Sequence, residues 1–407
     1  MVWKIALRHV LGEKRRTLIL TVSLAFAAFV GIVGNTIVSS LESNINRGLR
    51  SGLLGDLQVV DGRVRTVDIT AEPDAKSHLI SEAAIVERLL SNAPSVRAVA
   101  PRLRVSALLM SEEFEAPAVV MGVDPSKDAD TCPGSDPSAM RSLAKGKILL
   151  GPGIADRLGL VAGEDVTLLV DTPDGLFEGD VLEVAGAHEP GGLPLFGEFL
   201  AFMRLNELQE MLGLKDEVSS FAVALTPGTD LSRMQHRLQR EIEPLGLRAV
   251  SWIEAAGPFV DIGRIGMLGV AFTNTLLWLV IALGVGNTFL IIVIERRRQI
   301  GAMMALGTSR HNILCVVLAE SALISCASAV TGALLSLALC LPLAIAGVPV
   351  FSRAMMFAFG GERFFPEIAW PPFAVGFLVI AVLGPLSALL PAVSASRVDP
   401  VEAMRAR

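Results

Sequence analysis

Glu320 is the acidic residue of an otherwise uncharged run from about Asn312 to Val350. At 1.5 Å per residue it lies roughly 15 Å of helix beyond Arg310, deep enough that its carboxyl must be protonated or hydrogen-bonded. No second acid or histidine in that run completes a proton path, so Glu320 reads as an intramembrane polar contact between helices. Elsewhere the chemistry is sparse. His78, His188 and His236 lack metal-ligand spacing, and the chain carries no H-E-x-x-H, G-x-S-x-G or C-x-x-C pattern. Cys315, Cys326 and Cys340 share one apolar run while Cys132 stands alone, so no disulfide framework follows. G-x-x-x-x-G-K-[ST] is also missing, so the chain cannot bind ATP by that route, and any energy it uses must come from a partner. Scattered carboxylates leave a membrane-anchored enzyme as the reading outside the transport class.

A second constellation is apolar and basic rather than catalytic. Ile300, Met303, Met304 and Leu306 follow Arg296, Arg297 and Arg298 on a short segment between two long apolar runs. Apolar side chains on a connector call for a protein partner, while the arginines suit phosphate headgroups. Ser321, Ser325, Ser328, Gly332 and Ser336 recur every three or four positions, and Gly31 and Gly34 do likewise in the first run, a spacing that lets helices approach closely.

Long helices must hold these residues. Hydrophobic residues make up 52% of the chain and charged residues 19%, so part of it sits in lipid. A formal charge of −6 with clustered basic residues gives no nucleic-acid footprint. Basic clusters precede the first apolar run (Lys4, Arg8, Lys14, Arg15, Arg16), separate the second from the third (Arg296 to Arg298, Arg310) and follow the fourth (Arg397, Arg405, Arg407). Both termini are therefore expected in the cytoplasm. The expected order begins with a cytoplasmic amphipathic elbow over 1–16, where Trp3, Ala6, Leu7, Val10 and Leu11 recur at helical spacing. A first transmembrane helix over 17–42 leads to an external domain over 43–264. A second helix over 265–294, a cytoplasmic segment over 295–311 and a third helix over 312–347 follow. An outside loop over 348–367, with Arg353 and Arg363 against Glu362 and Glu367, a fourth helix over 368–396 and a cytoplasmic tail over 397–407 complete the chain. The first apolar core is too long for a cleavable signal peptide.

The external stretch reads as α+β. SEAAIVERLLSN has the period of an amphipathic helix, and SVRAVAP, RLRVSALLM and APAVVMGVD read as short strands. KILLGPGIADRLGL is a strand entering a helix, and GEDVTLLVD with DVLEVAGA forms a hairpin around Pro173-Asp174-Gly175. LNELQEMLGL is a further helix, and FAVALTP through LRAVSWIEA is a last βα-type unit. The fold class is membrane α-helical, with four transmembrane helices and a large α+β domain inserted between the first and second.

The stretch from Glu295 to Ser309, ERRRQIGAMMALGTS, resembles the E-R-x-x-E-I-G-x-x-x-A-x-G-A-S signature of the FtsX/MacB-like ABC transporter permeases. Gln299 stands for the usual Glu and Thr308 for the usual Ala. ASRVDPVEAM, from Ala395 to Met404, is similar to that family's A-x-x-x-x-P-x-E-A-L ending, and one span, a large domain and three spans is its layout. GDLQVV, APRLRVSALLM ahead of APAVVMGVDP, LLGPGIADRLGLVAGEDVTLL and Ser251-Trp252 resemble the lipoprotein-releasing, LolC/LolE-like permeases.

The resemblance implies a non-catalytic permease of the bacterial inner membrane, with its large domain in the periplasm. It implies an ABC ATPase partner in two copies that carries ATP and Mg, a second permease, identical or paralogous, and contact with membrane lipid. This chain itself would bind no cofactor and no metal. Glu295, Arg296, Arg297, Arg298, Gln299, Ile300, Met303, Met304, Leu306 and Gly307 would form the segment coupled to the ATPase. Phe29, Val33, Ile37, Phe272, Leu276 and Leu279 would line a cargo cavity between two permeases. Mechanotransmission would then extract or export a lipoprotein or another amphiphile. The alternatives are an FtsX-like signalling permease and a MacB-like exporter of small hydrophobic molecules or peptides. A periplasmic chaperone or adaptor is a further implied partner, although the hairpin at 171–179 is shorter than that of the chaperone-docking lipoprotein permeases.

Overall fold

The computed structural model describes residues 2–12, 14–64, 78–134, 136–171, 177–194, 196–295, 297–351 and 363–396. Two units emerge: residues 1–40, 265–348 and 365–407 in one, residues 41–264 and 349–364 in the other.

α1 (Val2–Gly12) precedes α2 (Lys14–Leu49), whose long middle is free of charge. A π-turn, Arg50–Leu54, follows, and Gly55 ends it at φ 74°, a conformation that side chains resist.

In the second unit β1 (Leu57–Asp61) leads through α3 (Ala83–Ser91) to the long β2 (Val96–Met110). Next come β3 (Glu115–Val123), α4 (Pro125–Thr131), α5 (Pro137–Ser142), β4 (Lys147–Leu150), α6 (Pro152–Leu158), β5 (Asp165–Asp171), β6 (Phe177–Ala187), β7 (Leu200–Arg204) and α7 (Leu205–Met211). β8 (Ser220–Leu225), α8 (Leu231–Ile242), β9 (Leu247–Ser251) and α9 (Trp252–Ala255) close it. In space four strands run β9-β1-β8-β2, all antiparallel, which is the order of a ferredoxin-like βαββαβ sheet. The residues between β2 and β8 add a closed ring, β2-β3-β7-β4-β6-β5 and back to β2.

β2 belongs to both parts. Arg102 pairs with Ser220 on one edge and Val123 on the other, so the strand passes from sheet to barrel without a break. The sequence reading divides this strand at Pro101. The structure does not, because Pro101 lies one residue before the pairing with β3 starts, at Arg102 opposite Val123, where its missing N–H leaves no partner unmet. β5 and β6 form the expected hairpin; Pro173-Asp174-Gly175 lie outside the described residues.

Strand alternation produces two cores. Leu57 and Val59 of β1 pack with Val86 and Leu90 of α3 and with Leu238 and Ile242 of α8. Val60 turns to the opposite face, where a second core joins it to Val250, to Leu49, Leu53 and Leu54, and to Met121, Phe196 and Phe202. The two turns ending α2 are thus part of this unit's interior.

α10 (Pro258–Glu295), α11 (Arg297–Ala305), α12 (Arg310–Ala346) and the helix Trp370–Ser387, continued by Leu389–Ser396, complete the chain. Among the described residues four helices are long and apolar enough to cross a membrane, and the large α+β unit lies between the first and the remaining three along the chain. In the helical unit α2 touches three neighbours. Gly332 of α12 meets Ala25, Ala28 and the backbone at Phe29, and Ser336 Oγ donates to the Phe29 carbonyl at 3.3 Å. Gly376 of the fourth span meets Ile32, while Gly31 and Gly34 face Trp278 and Asn274 of α10. Asn274 Nδ2 donates to Asn35 Oδ1 at 3.0 Å. The hydroxyls of Ser321, Ser325 and Ser328 return to carbonyls of their own helix, so the close packing strands no polar group. Glu320 is buried beside them.

Candidate functional site

α11 is a short helix between two spans, and its ends are set by local chemistry. Gly307 holds φ 94°, and its N–H bonds the Met304 carbonyl at 3.0 Å, which ends the helix; Ser309 Oγ then caps α12 by accepting the Asn312 N–H at 3.3 Å. The four apolar residues of this segment divide. Ile300 is buried against Ile313 of α12, with half-buried Met304 beside them. Leu306 is 88% exposed and Met303 half-buried. Glu295 ends α10 and is exposed; Arg297, Arg298 and Gln299 form the first turn of α11; Arg296 lies outside the described residues, as does the tail over 397–407.

A second feature joins α2 to the α+β unit. The loop after β6 lies directly on the last turns of α2. A Cβ on Gly48 would come within 2.7 Å of the Gly191 carbonyl oxygen, one on Gly52 would fall on the Gly191 backbone, and Gly191 itself holds φ 64°. Three glycines let two backbones touch at a separation no side chain permits. Beneath them Arg102, from β2, donates Nη1 to the Leu53 carbonyl of the π-turn, Nε to Asp128 Oδ1 at 2.8 Å and Nη2 to Cys132 Sγ at 3.2 Å. All three side chains are buried. Burial works against the Arg102 charge, but Asp128 and Cys132 outweigh it and hold the guanidinium pKa above the ordinary arginine value. Burial pushes the Cys132 thiol up to about 11, so it is neutral and unreactive at physiological pH. His188 opens the same loop. It is buried edge-on to Phe202, with ring centroids 5.2 Å apart, and burial lowers its pKa despite Asp128 and Asp136 nearby.

This joint is absent from the sequence reading. Gly48 on α2 and Gly52 in the π-turn stand four apart, close to the three-residue spacing of Gly31 and Gly34, and Gly191-Gly192 is a visible pair. Arg102, Asp128 and Leu53 carry no local signature, because their contact forms only when β2 and α4 fold over the π-turn.

The six cavity residues fall into two groups. Phe29, Val33 and Ile37 are half-buried on α2, and Phe272, Leu276 and Leu279 are exposed on α10. At about 100° per residue, the α10 group lies on the side of its helix away from Asn274 and Trp278, which meet α2. Within one copy the two groups share no surface. Among the described residues no cluster of His, Cys, Asp and Glu is arranged to hold a metal.

Residues 17–241 match the family described as the MacB-like periplasmic core domain, and residues 271–400 match the FtsX-like permease C-terminal family. The macrolide export ATP-binding/permease protein MacB of Sodalis glossinidius is 35% identical over 123 residues, 30% of this chain and 17% of that protein. An uncharacterized ABC transporter permease of Bacillus subtilis, YknZ, is 32% identical over 128 residues, 31% of this chain and 28% of that one. The uncharacterized ABC transporter permease MJ1507 of Methanocaldococcus jannaschii is 23% identical over 205 residues, 48% of each chain. The chain thus spans well under two thirds of the curated relatives it matches. Among solved structures, the periplasmic region of MacB from Actinobacillus actinomycetemcomitans aligns with a TM-score of 0.35 and 12% identity, covering 50% of this chain and 92% of that one.

Proposed function

The chain belongs to the FtsX/MacB-like family of ABC permeases, multi-pass proteins of the inner membrane with a large external domain, and from that premise we propose that it is a MacB-type mechanotransmitting exporter. A partner ATPase, present in two copies and holding ATP and Mg, grips α11 through Leu306 and Met303, while Arg296, Arg297 and Arg298 anchor the segment to lipid phosphates. Gly307 turns the chain from that grip into α12. Motion of α2 then reshapes the external domain.

The observation that carries this reading is the glycine contact at the end of α2. Backbone pressed on backbone at Gly48, Gly52 and Gly191 conveys a displacement with less slack than side-chain packing allows. A second permease, identical or paralogous, faces the exposed residues Phe272, Leu276 and Leu279, which point away from α2 and would enclose cargo between two copies. Glu320 supports the helix packing rather than proton movement. A relative named for macrolide export favours a small hydrophobic molecule or peptide as cargo. A lipoprotein cargo, with a periplasmic chaperone or adaptor to receive it, rests on the LolC/LolE-like stretches of the external domain.

Gly52→Ala tests the coupling. Gly52 holds no positive φ, so alanine meets no backbone strain there, but its Cβ would fall on the Gly191 backbone and force the loop after β6 off the end of α2. In proteoliposomes with the ATPase and a membrane-extract cargo, ATP hydrolysis is expected to stay within about twofold while mass spectrometry shows release reduced about tenfold or more. Undiminished release would remove the joint from the mechanism.

A further inference from the structure

Four strands of the barrel, β3, β2, β5 and β6, lie side by side and antiparallel, and their inward positions, such as Leu109, Leu168 and Leu182, fill its core. Antiparallel strands with one covered face ordinarily turn polar residues to the other. Here the register aligns Pro117, Leu108, Leu169 and Gly179 in one outward row. The row beside it holds Met110 and the 59% exposed Val181, and Phe177, 79% exposed, flanks it on the other side. Leu169 leans over Gly179, its Cδ2 2.7 Å from where a Cβ would stand, which closes the row. Further along β3 the same outward side is covered, since Val119 and Met121 join Phe196 and Phe202 in the second core. Leu108, Met110 and Leu169 lie outside that core and are only half-buried. An apolar sheet face left open in this way marks a docking surface.

Charge says what docks there. Residues 105–123, 164–171 and 177–187, which make the face and its borders, carry three acidic residues each and no lysine or arginine. Glu115 stands opposite Met110, Asp171 opposite Phe177, and Asp165 opposite Glu183. Lys147 of β4 pairs with Glu183 at 2.6 Å, and Arg104, next along β2, stands opposite Met121 in the covered part. The sign repels an anionic lipid surface and attracts a basic partner. Shape selects a helix. The outward row crosses four strands, about 14 Å, which is the apolar stripe of roughly three helical turns. A strand added at the edge of β6 would widen the sheet and leave the rows bare. A second copy fits poorly, because α8 carries Arg233, Arg237 and Arg240 but turns Met234, Leu238 and Ile242 into its own core. We infer that the outer face of β3-β2-β5-β6 docks a basic amphipathic helix of a partner protein. The inference stands apart from the export reading, since it needs neither ATPase nor transport.

The test uses the full chain in nanodiscs of neutral phosphatidylcholine, without ATPase or nucleotide. The probe is a fluorescent synthetic helix of about 18 residues, leucine on one face and lysine on the other, titrated by anisotropy with empty nanodiscs subtracted. Saturable binding is expected, about tenfold weaker for Phe177→Ser with Val181→Ser, and severalfold weaker for Glu115→Gln with Asp171→Asn or in raised salt. A peptide with glutamate in place of lysine, and one broken by central prolines, should each bind about tenfold more weakly. Affinity unchanged in both double variants would overturn the site, and equal binding of the glutamate or the proline peptide would overturn the basic or the helical partner. Native mass spectrometry of the chain without peptide adds a further check: a dimer that Phe177→Ser with Val181→Ser converts to monomer would give the face to a second copy and overturn the inference. Phe177 and Val181 are exposed, so their replacement removes nothing from the core, and an unchanged thermal midpoint verifies the fold.

Discussion

Gly191 carries two constraints at once, a left-handed φ and a backbone pressed on α2. Gly191→Ala is expected to lower stability by about 1–3 kcal/mol, read from tryptophan fluorescence during denaturation; a shift under half of that would mean the loop yields freely. His188, three residues earlier, makes a pH prediction. Its pKa is lowered in the fold, so the unfolded chain takes up the proton first as pH falls through the ordinary histidine value near 6.5. The stabilising contribution of neutral His188 is complete above that pH and declines below it toward the depressed folded value. The thermal midpoint should therefore drop as pH falls below about 6.5, and His188→Phe should flatten that drop; an identical slope in the variant would exclude His188 as its source. Carboxylates held low by their partners, such as Asp61 bonded to Arg63, act in a separate window below about pH 4. Neither residue was legible as important in the sequence. His188 has no ligand spacing, and its significance comes from burial beside Phe202, which the fold alone creates.

α11 shows how far periodicity reaches at the scale of elements. The apolar residues and Gly307 were legible, but not the division of labour among them, because Ile313 lies across the turn on the next helix. Met303→Glu with Leu306→Glu is expected to leave the chain inserted and reduce recovery of the partner ATPase on affinity purification about tenfold, since two charges would enter an apolar groove unpaired. Met304→Glu should instead loosen α11 from Ile313 of α12 and lower the chain's own thermal midpoint. Full ATPase recovery from the double variant would leave the segment as a membrane anchor only. In the α+β unit, α3 and α8 were readable from Val86 and Leu90, and from Met234, Leu238 and Ile242, each four apart. The barrel was not. Its ring joins strands out of chain order, and β2 was obscured by Pro101, whose harmlessness depends on β3 ending at Val123, opposite Arg102.

For the whole molecule, hydropathy and the placement of arginines made the four spans and their orientation legible, because lipid imposes length and charge rules on local sequence. With Cys315 and Cys326 replaced by Ser, Thr308→Cys should be labelled by an impermeant reagent only from the cytoplasm and Arg233→Cys only from outside; the reverse would invert the topology. How the chain enters and leaves its α+β unit was hidden, since β1 and β9 lie far apart in sequence yet pair with Leu57 opposite Ser251. That pairing has a mechanical meaning. The strand entered from α2 and the strand that leads to α10 lie side by side and antiparallel, with their outward-leading ends together. Drawing those ends apart opens the ladder like a zip, one hydrogen bond at a time and at low force. Drawing them together in one direction loads no bond between the strands and shifts the pair as a single rod. The unit is therefore compliant toward splaying of its two stems and stiff toward their common stroke, an anisotropy that optical tweezers would read as unequal rupture forces along the two directions.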